Sequence, residues 1–162
     1  NPQPRRHRLV NKIEHDLKRP FPVDRLRWRR GQGGSGELVY ITARDVMDRL
    51  DQAVGVDGWT ERYEFMGGRM MCNLTLNIGG KQVTKADGAD DSNIEAAKGG
   101  ISDALKRAAV KFGIGRYLYH PAAFDKKKQP ASWATPEGYD ALMAKREKKS
   151  IEAWRKEYGD SV

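Results

Sequence analysis

The clearest hydrophobic pattern in the chain covers residues 101–113. Four apolar residues recur there at helical spacing: Ile101, Leu105, Ala108 and Phe112. At about 100° per residue, Arg107 and Lys111 lie roughly opposite these residues, and Lys106 lies on their flank. Gly113 follows as a stop signal. The pattern predicts one amphipathic helix that is buried on one side and positively charged on the other, a surface that suits a phosphate backbone.

An alternating pattern precedes this helix. It predicts strands over residues 59–66, 69–78 and 81–87, with Gly-Gly pairs as hairpin turns between them. In the middle strand all even positions are apolar: Met70, Cys72, Leu74, Leu76 and Ile78. The odd positions are mostly polar, so this strand is predicted to be half-buried in a three-stranded meander.

The first forty residues combine a helical pattern with a basic segment. A helix is predicted over residues 5–18, a short strand over 38–41, and a second helix after Thr42. Thr42 with Asp45 resembles a capping box in which Asp replaces Glu. Residues 24–36 are predicted to be a basic, glycine-rich connection.

The last part of the chain is more highly charged. Residues 126–130 predict a linker, and Thr135-Pro136-Glu137 predicts a helix start with Pro at the first helical position. Four large residues of this helix are expected to make contacts: Tyr139, Met143, Trp154 and Tyr158. The predicted fold class is α+β, with an α-β-α segment, a three-stranded antiparallel meander packed on a long helix, and a charged C-terminal helix.

Charge narrows the choice of partner. The 162 residues carry a net charge of +8, and residues 1–36 hold ten Lys and Arg against three Asp and Glu, a net charge of +7. This asymmetry favours a polyanion, either nucleic acid or an anionic membrane. The arginine-rich segment continues into glycines, which is atypical of an amphipathic anchor helix, and no apolar run approaches the roughly 18 residues of a membrane span. Nucleic acid is therefore the favoured partner, with no membrane contact.

The residues that carry catalytic chemistry show no convincing constellation. Cys72 stands alone, which excludes an internal disulfide and a cysteine zinc cluster, and indicates a cytoplasmic location. The three histidines are scattered. Asp87, Asp90 and Asp91 invite a metal-nuclease interpretation, but capping and turn roles fit them better. No catalytic residue, metal site or cofactor is predicted.

Two aromatic residues next to the basic segment have two interpretations each. Trp28 lies within Arg25-Leu-Arg-Trp-Arg-Arg30, where guanidinium groups and a stacking surface would suit a single strand, or it belongs to the core. Tyr40 is either a core strand residue or a base-stacking platform, and the pattern alone favours the core.

Several segments together resemble the Rad52/Rad22 family of single-strand annealing proteins, in its compact bacterial or phage form. They are Val39-Tyr-Ile41 before a helix, Gly55-Val-Asp-Gly-Trp59, the meander, and Asp103-Ala-Leu-Lys-Arg-Ala-Ala-Val-Lys-Phe-Gly113. The resemblance covers about residues 24–120. It implies a non-enzymatic, cofactor-free protein that forms homo-oligomeric rings or arcs and anneals DNA without ATP. It also implies an outer groove that holds single-stranded DNA with its backbone inward and its bases outward.

The resemblance assigns expected DNA contacts by residue. Lys106 and Arg107 match the adjacent Lys-Arg of the long helix, Arg30 and Tyr40 match a further arginine and tyrosine of the groove, and Val110 replaces a basic residue of the family. Lys111 is expected as a substitute for that residue, and Lys81, Lys85 and Lys98 are expected at an outer site. Arg27 and Arg29 are expected contacts on a different ground, because they belong to the basic cluster of residues 25–30.

The expected organisation follows from these assignments. Residues 1–124 would form the DNA-binding, ring-forming domain, and residues 125–162 a basic linker and helical appendage. The expected setting is the nucleoid of a bacterial or phage-infected cell, with a single-strand-binding protein or a recombinase as a further partner. A passive single-strand protector, and a double-stranded DNA regulator that uses the long helix for recognition, remain as alternatives.

Overall fold

The computed structural model describes the backbone of residues 2–34, 36–89 and 94–159, and the side chains of residues 5–31, 33–34, 36–89 and 99–159. The described helices are α1 (Pro2–Lys18), α2 (Ala43–Val54), α3 (Ile94–Val110), α4 (Pro136–Arg146) and α5 (Ile151–Tyr158). The described strands are β1 (Arg27–Arg30), β2 (Glu37–Tyr40), β3 (Trp59–Met66), β4 (Arg69–Ile78) and β5 (Lys81–Ala89). The α+β class predicted from the sequence is confirmed.

The chain forms two compact units. The first unit comprises Asn1–Leu17 and Thr42–Ile114, and the second comprises Lys18–Ile41 and Gly115–Val162. Within the described residues, no helix combines the length and the apolar character that a membrane crossing requires.

The first unit contains the predicted meander. Strands β3, β4 and β5 pair antiparallel in that order, with Tyr63 opposite Cys72 and Leu74 opposite Lys85. Glycines with positive φ make both hairpin turns, as the sequence predicts. The even positions of β4 point into the core, where Cys72, Leu74 and Leu76 are fully buried. Helix α3 packs against β4 and β5 and covers this face.

The buried face of α3 is rotated slightly from the predicted one. Leu105, Ala108 and Phe112 are buried as expected, but Ile101 is 49% exposed, so that part of the prediction is wrong. Gly100 is buried instead, and a Cβ there would lie 3.4 Å from the Met70 Cβ. The missing side chain lets the helix approach the sheet at Gly100, which turns Ile101 outward. Asp91, for which the sequence predicts a capping or turn role, lies outside the described residues.

Helix α2 begins with the predicted capping box. The Thr42 hydroxyl accepts a hydrogen bond from the Asp45 N–H at 3.2 Å, and the Asp45 carboxylate accepts one from the Thr42 N–H at 3.0 Å. Val46 and Leu50 are buried. Arg49, also buried, donates to the Asp16 carbonyl at 3.0 Å and so ties α2 to α1.

The second unit contains a hairpin that the sequence did not predict. Residues 27–30, predicted as part of a connection, form β1 and pair antiparallel with β2. Three of the four β1 side chains are arginine and are exposed, so the strand shows no apolar alternation. Gly31 and Gly36 lie outside both strands, as predicted for the glycine-rich connection, and the Gly31 N–H donates to the Gly36 carbonyl at 2.6 Å.

The C-terminal residues form two helices where the sequence predicted one. Thr135 and Pro136 begin α4 as predicted, but the chain turns after Arg146, Lys148 takes a φ of 57°, and Ser150 caps α5. The helical spacing of apolar residues continues across this short turn, so the sequence pattern does not reveal the break between α4 and α5. The four predicted contact residues do pack together, because Met143 lies against a buried cluster that contains Tyr139, Trp154 and Tyr158.

A buried arginine connects the two ends of the second unit. The Arg19 guanidinium donates to the Asp140 carboxylate at 3.1 Å and to the Tyr158 carbonyl at 3.0 Å. It also lies 5.8 Å from the centroid of the Trp154 ring. Arg19 therefore fixes the segment that leads into β1 onto helices α4 and α5.

Asp140→Ala should lower the free energy of unfolding by about 3–5 kcal/mol, because it leaves the buried Arg19 charge without its carboxylate. Urea denaturation measures this change. Glu137→Ala removes an exposed carboxylate from the same helix and should cost less than about 1 kcal/mol. Equal losses in the two variants would contradict the role of the buried pair.

Cys72 should be unreactive in the folded protein. Burial, with the Glu61 carboxylate as a smaller cause, raises the pKa of the Cys72 thiol from 9.0 to about 11. A thiol reagent at neutral pH should label the protein only after denaturation. Because the folded pKa lies above the unfolded one, this group's contribution to stability is present below pH 9.0 and declines toward pH 11. Cys72→Ala should lack that component of the decline.

Candidate nucleic-acid interface

The charge excess of the chain is concentrated in the second unit. This unit contains sixteen Lys and Arg against nine Asp and Glu, a net charge of +7, whereas the first unit contains fourteen against thirteen, a net charge of +1. Folding places residues 115–162 in the same unit as the basic residues of 18–41. The second unit therefore attracts a polyanion more strongly than the first unit does.

The β1–β2 hairpin carries cations on both of its faces. Arg27 lies opposite Tyr40 and Arg29 lies opposite Leu38, so these four residues share one face. The Arg29 guanidinium lies 5.6 Å from the centroid of the Tyr40 ring. Among the described residues, Arg27 and Arg29 form no ion pair. This face thus combines two exposed cations with a half-buried aromatic ring.

The opposite face of the hairpin contacts the rest of the second unit. Trp28 is half-buried and packs edge-on against Phe124, with ring centroids 5.2 Å apart. This packing supports the core interpretation of Trp28. Arg30 shares this face with Trp28 and Glu37, and its side chain is exposed. The register therefore places Arg30 and Tyr40 on opposite faces of the hairpin.

In the first unit, the end of α3 presents the Lys-Arg pair that the sequence singled out. Arg107 is exposed, and its Nε lies 3.8 Å from the Asp87 carboxylate. The Lys106 Nζ lies 3.7 Å from Asp103, one turn earlier. Surface ion pairs at such distances contribute little to stability.

Lys85 and Lys111 connect β5 to the end of α3. The Lys85 Nζ donates to the Lys111 carbonyl at 3.1 Å, and the Lys111 Nζ donates to the Ala86 carbonyl at 2.6 Å. Lys85 also lies 5.1 Å from the centroid of the Phe112 ring. Both ammonium groups thus satisfy backbone carbonyls while remaining at the surface. They add positive charge beside Arg107 and stabilise the packing of β5 against the end of α3, where Arg107 lies.

The remaining sequence candidates are more dispersed. Lys81 is exposed at the start of β5, and the side chain of Lys98 lies outside the described residues. The capping or turn role predicted for Asp87 is wrong, because Asp87 lies within β5 opposite Cys72, where its carboxylate accepts a hydrogen bond from the Gly88 N–H at 2.7 Å. Asp90 and Asp91 lie outside the described residues. The described part of the chain contains no group of three His, Cys, Asp or Glu residues that could hold a metal ion.

One basic segment has more structure than the sequence predicts. Residues 126–130, predicted as a linker, belong to a loop of residues 124–130 that Phe124 and Pro130 close by a β-bridge. The Lys128 ammonium forms an ion pair with Glu37 at 2.6 Å and lies 5.3 Å from the centroid of the Trp28 ring. The signal that would have revealed the loop is Asp125, whose carboxylate can accept hydrogen bonds from the backbone that follows it.

Comparison with known proteins gives consistent matches. The family model described as "Rad52/22 family double-strand break repair protein" matches residues 9–73 and 69–133 of the chain. These ranges include the β1–β2 hairpin, the meander, α3 and the loop of residues 124–130.

Two curated proteins are similar over most of the chain, and both are named single-stranded DNA-binding protein DdrA. The protein from Deinococcus deserti is 34% identical over 146 residues, which cover 79% of this chain and 72% of that protein. The protein from Deinococcus radiodurans is 34% identical over 131 residues, which cover 76% of this chain and 60% of that protein.

Proposed function

Because the chain belongs to the Rad52/22 family of double-strand break repair proteins, we propose that it binds single-stranded DNA and anneals complementary strands without ATP. The observation that carries the proposal is the family match together with exposed cations on two elements that it covers, β1 and the end of α3. The names of both relatives support single-stranded DNA as the ligand.

The cations would hold the DNA by its backbone. Arg27 and Arg29 form no ion pair among the described residues, and the Arg107 Nε lies 3.8 Å from the Asp87 carboxylate. Backbone phosphates would give these groups anionic partners that accept charge-assisted hydrogen bonds. A grip on the backbone leaves the base edges free, so pairing can be tested without preference for sequence. Tyr40, beside Arg29, offers a ring on which a base or sugar can stack.

Base pairing itself would drive the reaction. The protein would only bring two strands together with their bases accessible, so no bond is broken and no nucleotide is hydrolysed. We therefore assign it no enzymatic activity and no cofactor. We also assign it to the bacterial cytoplasm, where its DNA substrate would be found.

A homo-oligomer would multiply these contacts. Each protomer offers a few cations, and a ring or arc of protomers would repeat them along one strand. The logarithm of the binding constant should fall by about 0.7 per unit of log salt for each phosphate contacted by a single-strand binder. Many repeated contacts would make binding tight at low salt and steeply salt-dependent.

A passive protector of single strands is the second candidate, favoured because the relatives are named for binding alone. An annealing assay with complementary oligonucleotides separates the two functions. At saturating protein and without ATP, an annealing protein speeds duplex formation, whereas a protector slows it.

The double variant Lys106→Ala with Arg107→Ala should abolish annealing while leaving the fold intact, because both side chains lie at the surface of α3 and not in the core. Its salt slope for oligothymidylate binding should fall by about 1.4, the value for two lost phosphate contacts. Arg44→Ala with Arg62→Ala removes two exposed arginines from the same unit and serves as the control. Annealing at the wild-type rate in the first variant would reject this site.

The protein in solution should be much larger than one 18.3 kDa chain, because the proposed DNA track requires several protomers. Light scattering with and without oligothymidylate measures the mass. A monomeric mass under both conditions would contradict the proposed assembly.

A further inference from the structure

The loop of residues 124–130 presents two lysines whose charges are not neutralised. Lys126 and Lys127 are exposed, and among the described residues neither of them forms an ion pair. Exposed lysine runs commonly contact only solvent, so exposure alone does not indicate a binding role. This run differs because the carboxylates nearest to it already have other partners.

The acidic groups around the loop are already engaged. The Asp125 carboxylate accepts hydrogen bonds from the Lys127 N–H at 2.8 Å and from the Gln129 N–H at 2.9 Å. Glu37 is paired with Lys128. Both carboxylates are thus turned toward the loop's own structure, which leaves Lys126 and Lys127 as its outward charges.

The loop is also fixed against the β1–β2 hairpin. Phe124 at one end packs on Trp28, while Lys128 near the other end contacts both Trp28 and Glu37. Backbone hydrogen bonds between Asp125 and Gln129, and between Lys128 and Asp125, close the turn in between. Lys126 and Lys127 are therefore held on the side of the hairpin that carries Trp28 and Arg30, within one unit.

An anion would stabilise this arrangement. Like charges held together repel, and no described carboxylate pairs with Lys126, Lys127 or Arg30. A nucleic-acid backbone supplies closely spaced phosphates that would relieve the repulsion between the loop and the hairpin.

We propose that Lys126 and Lys127 form a phosphate contact for single-stranded DNA that continues from Arg30 on the Trp28 face of the β1–β2 hairpin. The inference rests on the proposed function, since it assigns two further residues to the binding of the same ligand. Part of the predicted linker would then contact DNA directly.

The double variant Lys126→Gln with Lys127→Gln tests the contact. Binding of labelled oligothymidylate is measured between about 50 and 200 mM salt, and the slope should fall by about 1.4 relative to the wild type. Lys145→Gln with Lys156→Gln removes the same charge from exposed positions of the same unit and should leave the slope nearly unchanged. An unchanged slope in the loop variant, or an equal fall in the control, overturns the inference.

Asp125→Ala separates positioning from net charge. The substitution removes one negative charge, so a general effect of charge would tighten DNA binding. It also removes the acceptor that orders the loop, so binding should weaken if the lysines act from a fixed position. Tighter binding by this variant overturns a positioned contact.

The proposed function fails separately from this inference. If the wild-type protein binds no oligothymidylate, both are rejected. If the wild type binds and anneals while the loop variant behaves identically to it, only the contact at Lys126 and Lys127 is rejected.

Discussion

Gly100, Ala104 and Ala108 form a strip of small residues along α3, and the packing of this helix on the β3–β5 sheet supports the rest of the first unit. The absence of a side chain at Gly100 allows close approach to Met70, and the two alanines are fully buried. A helix packed this closely has one rotational setting, because a turn about its axis would drive larger residues into the sheet. That setting turns Arg107 outward, so the same packing that builds the core also presents the cation.

The cations of the molecule differ in what they contact. This difference distinguishes the cations that stabilise the fold from those proposed to bind DNA. Lys85 and Lys111 donate to backbone carbonyls and join β5 to the end of α3. Arg107 faces a carboxylate at 3.8 Å, where an exposed pair gains little. Arg19 is buried in contacts with α4 and α5 and has a structural role. A count of basic residues in the sequence cannot distinguish these roles.

The second unit shows how a strongly basic surface can be supported. The exposed arginines of β1 offer little apolar area of their own, and a two-stranded hairpin is marginal when isolated. Trp28 on the opposite face supplies the contact with Phe124, and Arg19 ties the preceding segment to Asp140. The C-terminal helices are therefore part of the scaffold of the hairpin, although the family match ends at residue 133.

The sequence by itself determined the elements whose signal is periodic or local. The alternation in β4, the glycine turns, the capping box at Thr42 and the amphipathic character of α3 each depend on neighbours within a few residues. Only the tertiary structure decided that residues 27–30 form a strand, that Ile101 faces outward and that residues 124–130 lie against the hairpin. The contact of Arg19 with Asp140, 121 residues away, belongs to the same class. Such contacts join residues far apart in the chain, and they leave no period in the sequence because each depends on surfaces that exist only once the chain has folded.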